Sequence, residues 1–149
     1  MKRTLKVMAI SIGLVGIFAL SAEAAPTYIG AAKCKMCHKL QFDTWTSIGT
    51  HSKALEIAKA SDKRKFDATC LTCHSTNKSE TVTGVECEGC HGPGSDYKTI
   101  PVMKDRTKSA AAGLTIPTQA TCVGCHDSKD HHKAVDIKTA VVHEHKAKK

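Results

Sequence analysis

All eight cysteines of this chain fall into four copies of one pattern, Cys-x-x-Cys-His. The copies are Cys34-Lys35-Met36-Cys37-His38, Cys70-Leu71-Thr72-Cys73-His74, Cys87-Glu88-Gly89-Cys90-His91 and Cys122-Val123-Gly124-Cys125-His126. Two thiols at this spacing can form thioethers with the two vinyl groups of a haem. The histidine that follows then becomes the proximal iron ligand. The pattern therefore predicts four covalently bound haem c groups.

Two other chemistries use paired cysteines. Two Cys-x-x-Cys pairs can hold a structural zinc ion. Eight cysteines can also form four disulfides in a small secreted protein. Neither explains why a histidine follows the second cysteine every time, when the chain has only 9 histidines in 149 residues. The haem reading accounts for every copy.

Each iron also needs a sixth ligand or stays open. Beyond the motif histidines there remain His51, His131, His132, His143 and His145. Neutral imidazole and the methionine thioether are the usual haem partners. His51 stands at the start of a helical pattern, and His143 closes an apolar segment that would place it over a haem, with His145 as substitute. His131 and His132 sit in a charged loop with Asp130 and Lys133, where a solvated histidine is the ordinary reading and ligation by one of them the other. Met103, behind Ile100-Pro101-Val102, is either a core residue or a thioether ligand. A Met/His haem would have a higher potential than bis-His neighbours.

The elements that position these groups are short. Residues 1–24 read as a secretory signal peptide: Lys2, Arg3 and Lys6 precede an apolar run to Leu20, and Ala22-Glu23-Ala24 makes an A-x-A cleavage site. Residues 25–149 then form one tetrahaem domain, with no stable membrane anchor after cleavage. Export fits the haem reading, because c-type haem is attached outside the bacterial cytoplasmic membrane; the expected location is the periplasm, or beyond it outside the cell. Aromatics are 4% of the chain, too few for a substantial core without the porphyrins. The formal charge is +8. Losing the leader and adding haem propionates brings it to about +2 when all four haems are ferric and about −2 when all are ferrous. The basic sequence is thus no argument for nucleic-acid binding. Ser52–Ala60, Lys108–Ala112, a stretch from Pro117 through the fourth motif, and Val135–Val142 read as helices. No strand pattern occurs. The unequal spacing of the motifs suggests paired haems rather than a regular solenoid.

Four stretches resemble the tetrahaem cytochrome c-554 family. They are Tyr28-Ile29-Gly30 leading into the first motif, with Trp45 and His51-Ser52-Lys53-Ala54; the block Gly84-Val85-Glu86-Cys87-Glu88-Gly89-Cys90-His91-Gly92-Pro93-Gly94-Ser95; Val102-Met103-Lys104-Asp105 with Gly113-Leu114 and Pro117; and Cys122 to His143. The resemblance implies a mainly α fold with extensive loops, a compact multihaem cytochrome c fold organised around four haems with little or no β-sheet. It implies that His51 ligates the third haem, on Cys87 and Cys90, and that His143 completes the fourth haem or another one. In the family a histidine shortly after the Gly-Pro-Gly block ligates the first haem. This chain has none between His91 and His126, where Tyr97 and Met103 stand instead. The family's second haem is five-coordinate.

The expected function is periplasmic electron transfer through four closely packed haems in a respiratory chain, between a donor and an acceptor that the sequence does not identify. No catalytic side chains are required. Two alternatives stay open. One is a small nitrogen-oxide reductase acting on nitric oxide, hydroxylamine or nitrite at an open haem, with the His131-His132 loop as proton source. The other is a subunit of an extracellular cytochrome filament.

Overall fold

Eight short α-helices joined by turns and loops make up the described part of the chain, residues 24–144 of a computed structural model. They are α1 (Ala31–Lys35), α2 (Lys39–Ile48), α3 (Ala54–Ala60), α4 (Leu71–His74), α5 (Cys87–His91), α6 (Ile100–Met103), α7 (Arg106–Ala111) and α8 (Gln119–Val123). No strand occurs among the described residues. The expected leader, apart from Ala24, and His145 lie outside them.

The longest helix, α2, has 10 residues, and helices of that length are marginal in water unless something packs on them. Local signals fix their ends. Gly49, at φ 78°, closes α2 in the left-handed region that favours glycine. The Asp105 carboxylate caps α7 by accepting from the Thr107 and Lys108 amides. Thr118 and Thr121 form a capping box on α8.

Among the described residues, only Ala31, Trp45, Ala54, Leu55, Leu71 and Tyr97 are buried apolar residues. Polar stitching does much of the remaining work. The Glu88 carboxylate is 2% exposed. It accepts from the amides of Ile29 (2.9 Å), Gly30 (2.7 Å) and Gly94 (2.6 Å), tying the chain before motif 1 to the loop after motif 3. Trp45 donates its indole N–H to the Val85 carbonyl at 3.0 Å. Tyr97 donates its hydroxyl to the Gly92 carbonyl at 2.6 Å. Gly84 lies so close to the His51–Ala54 backbone that a Cβ there would meet the His51 carbonyl oxygen at 2.1 Å.

The expected helices over Ser52–Ala60 and Lys108–Ala112 correspond to α3 and α7. The one from Pro117 starts at Gln119, after its Thr118 cap. Val135–Val142 is not a helix; it forms turns. The Gln119 side chain donates to the Val135 carbonyl and accepts from the Ile137 amide. It thereby holds the stretch open where a helix would need those groups, and five of its eight residues are β-branched and stiff.

Candidate haem-binding site

Each motif sits on or beside a helix. Cys34 lies in α1, Cys73 and His74 in α4, the whole third motif in α5, and Cys122 in α8. A single helical turn brings the two cysteines and the histidine together; in motif 4 the His126 amide bonds the Cys122 carbonyl at 2.8 Å.

Three motif histidines are held by a backbone carbonyl that accepts from their Nδ1. His74 donates to Ala54 (3.1 Å), His91 to Thr115 (3.0 Å) and His126 to Lys133 (2.9 Å). A proton fixed on Nδ1 leaves the Nε2 lone pair for a metal, the usual arrangement of a ligating histidine.

Each of these three rings faces a second imidazole. Ring centres lie 6.1 Å apart for His51 and His126, 6.0 Å for His74 and His131, and 6.1 Å for His91 and His143. Two metal–nitrogen bonds of about 2 Å, with about 1.2 Å from each nitrogen to its ring centre, place two imidazoles on one metal about 6 Å apart. The facing rings are anchored too. His131 donates Nδ1 to the Asp130 carboxylate at 3.1 Å, and His143 to the Glu144 carbonyl at 2.9 Å. His51 differs: its Nδ1 is buried with no hydrogen-bond partner. Such an atom costs about 1–3 kcal/mol, which a bond from this ring to a metal would offset. Burial first, and the nearby His126 second, push the His51 imidazole below its usual range, so it is neutral at pH 7 and able to ligate.

The residues therefore fit haem. Nowhere among the described residues do three or more His, Cys, Asp or Glu side chains converge as a metal cage, as zinc would need. Imidazoles come in pairs instead, which is what an iron already holding four porphyrin nitrogens can accept. All eight cysteines are free of disulfides. A cavity lined by Tyr28, Thr72, Cys73, Val85, Gly89 and Cys125 has a volume of about 450 Å³ and opens between motifs 2 and 4.

The motifs interleave. Ile29 and Gly30, just before motif 1, donate to Glu88 inside motif 3. Cys73 of motif 2 and Cys125 of motif 4 line one cavity. Motif 1 thus pairs with motif 3, and motif 2 with motif 4. Two loops serve both members of the second pair. Residues 51–54 present His51 to His126 and the Ala54 carbonyl to His74. Residues 126–133 present His131 to His74 and the Lys133 carbonyl to His126.

The resemblance put His51 over the third haem; its ring faces His126, of motif 4. It put His143 over the fourth haem or another one; its ring faces His91, of motif 3. His131, read from the sequence as solvated or as a ligand, faces His74, so motif 2 has a facing imidazole where the family implied none. His132 lies beside His131, ring centres 4.5 Å apart, and donates Nδ1 to Asp127 at 2.8 Å. Met103 ends α6 and is half-buried. His38 is exposed, and among the described residues no imidazole faces it. Sequence reasoning named Asp130 only as a charged neighbour and passed over Arg64 and the three carbonyls. The carbonyls leave no mark in side-chain types, but an aspartate directly before a histidine was a signal open to reading.

Residues 33–92 match the family described as "Cytochrome c554 and c-prime". A cytochrome c-554 from Nitrosomonas europaea is 32% identical over 103 aligned residues, which cover 52% of this chain and 43% of that protein. The chain thus spans less than half the length of the curated relative it matches. No solved structure matches. The resemblance to the cytochrome c-554 family is borne out, and with it covalently bound haem c and a mainly α fold.

Proposed function

We propose, on the premise that this chain is a cytochrome of the c-554 family and so a haem-based electron-transfer protein, that it carries electrons in the periplasm through four haems, one on each motif. Below, haems 1 to 4 are those on Cys34/Cys37, Cys70/Cys73, Cys87/Cys90 and Cys122/Cys125. The observation that carries the reading is the set of three imidazole pairs at the spacing one iron requires. By it, His131, His143 and His51 are the sixth ligands of haems 2, 3 and 4.

Bound haem supplies one-electron chemistry. The chain's residues set where each iron sits and how easily it gives up its electron. Two strong-field imidazoles keep an iron low-spin and closed to small molecules, which suits transfer rather than reaction. The ties between motifs 1 and 3 and the cavity shared by motifs 2 and 4 support close porphyrin edges within each pair. The exposed surface of motif 1, where Cys37 and His38 are exposed and Met36 is 79% exposed, suits exchange with a partner protein. Leader-directed export is part of the proposal. Among the described residues no helix is long and apolar enough to cross a membrane.

The test is the mass of the purified protein with a haem count and a redox titration. The expected result is four haems per chain and four one-electron steps with reversible oxidation. Three or fewer haems in fully matured protein would overturn the tetrahaem reading.

A second reading is favoured by one observation: among the described residues, no imidazole faces His38. Haem 1 would then be open, or closed by Met103 or His145, and reduction of a nitrogen oxide there becomes the rival function. Carbon monoxide added to the ferrous protein decides. Binding to about one haem in four supports an open site. No binding leaves the carrier reading alone.

A further inference from the structure

Asp130 stands in an unusual backbone conformation for a non-glycine residue. Its φ is 51°, and Ser128, two residues earlier, has φ 65°. Residues other than glycine enter this region at a cost of about 1 kcal/mol each. Two such residues within three positions turn the loop so that the Asp130 carboxylate meets two partners through one oxygen. His131 donates its Nδ1–H to Oδ2 at 3.1 Å, and the Arg64 guanidinium donates to the same oxygen at 2.5 Å. Arg64 belongs to the segment that leads into motif 2. The chain Arg64–Asp130–His131 therefore runs from the approach to haem 2's own cysteines to the ring that faces its proximal His74, 6.0 Å away and 9° from parallel.

We propose that Asp130 is the positioning residue of haem 2, orienting His131 on the iron and strengthening its donation, with Arg64 moderating that effect. The proposal rests on the reading of His131 as the sixth ligand of haem 2. A carboxylate that accepts the Nδ1 proton fixes the ring's tautomer and rotation, and it makes Nε2 a stronger donor. Stronger donation favours the ferric state and lowers the potential. The ring facing His126 differs: His51 has no partner at Nδ1. Haem 2 is thus set apart from haem 4 by the carboxylate behind its facing imidazole. Arg64 shares the accepting oxygen and withdraws part of its electron density.

The exposed Arg64–Asp130 ion pair, 47% and 59% exposed, contributes little to stability by itself. Its effect should therefore be read in a potential rather than a melting temperature. The test uses the holoprotein, with spectroelectrochemical titration and low-temperature paramagnetic resonance. His131→Ala first identifies haem 2 as the one that turns high-spin and binds carbon monoxide. Asp130→Asn keeps the backbone, since asparagine tolerates positive φ, and replaces the carboxylate by a neutral acceptor. The expected result is a rise in that haem's midpoint potential, with the other three unmoved and all spin states kept. The rise corresponds to about a tenfold change in its ratio of oxidised to reduced form, or ~59 mV for a one-electron couple. Arg64→Gln is expected to shift the same haem the opposite way. Unchanged potentials in Asp130→Asn would overturn the proposal, as would shifts of the same sign in both variants, which mark a loosened loop. No haem turning high-spin in His131→Ala relative to the parent protein would also overturn it, through the ligand assignment. That outcome leaves the haem count, and so the electron-carrier reading, intact.

Discussion

Single side chains divide here into those that face iron and those that hold the chain in place for them. His51 is of the first kind. His51→Ala is expected to turn haem 4 alone high-spin and open to carbon monoxide; visible and resonance spectra check it, and a change at haem 3 instead would restore the family-based assignment. Glu88 is of the second kind. Its buried carboxylate satisfies three amides from two distant loops. Glu88→Ala leaves those donors dry and is expected to cost about 3–5 kcal/mol, with Glu88→Gln recovering part of it, as read from thermal unfolding of the holoprotein. At this scale the sequence was legible where chemistry needs a fixed spacing, so the motif cysteines and histidines could be proposed as thioether and proximal groups from the pattern alone. The facing histidines could be proposed, but their partners could not. His131 looked like a surface residue because its neighbours are charged, and those charges turn out to be the groups that hold it.

The elements are brief because each needs to deliver only one or two side chains. Gly84 shows how little slack they have: a Cβ there would meet the His51 carbonyl at 2.1 Å and the Ala54 amide at 2.6 Å, both backbone. Gly84→Ala is expected to destabilise the protein by about 1–3 kcal/mol and to dislodge His51, so that haem 4 loses its low-spin signature. Gly124→Ala is the control: its nearest contact would be an ordinary 3.4 Å and its φ is −54°, so both readouts should stay as in the parent. Helix positions such as α3 and α7 followed from periodicity and caps. Val135–Val142 did not, because an apolar run of that length fits a helix as well as an irregular segment. A glutamine side chain from α8 decides between them, and that contact is not local in sequence.

At the scale of the molecule, six apolar residues make up the buried apolar set among the described residues. Polypeptide without haem is expected to be largely unfolded, which far-ultraviolet circular dichroism of protein made without haem attachment would check. The low aromatic content announced this dependence; the interleaving of motif 1 with 3 and of 2 with 4 was not announced, since it depends on contacts between distant segments. The shared loops also predict a coupled loss. Cys122→Ser with Cys125→Ser removes haem 4, and it is expected to alter the spin state or potential of haem 2 as well, because residues 126–133 serve both. Those loops bear on whether such a protein can be shortened. Residues 122–143 contain one haem motif and two of the three facing imidazoles, His131 and His143. A chain ended before them would keep three attachment motifs yet have no imidazole left to face His74 or His91, and His51 would face nothing. On the four-haem reading, removing one haem's worth of sequence is expected to leave no working trihaem protein, because the facing imidazoles of three motifs go with it.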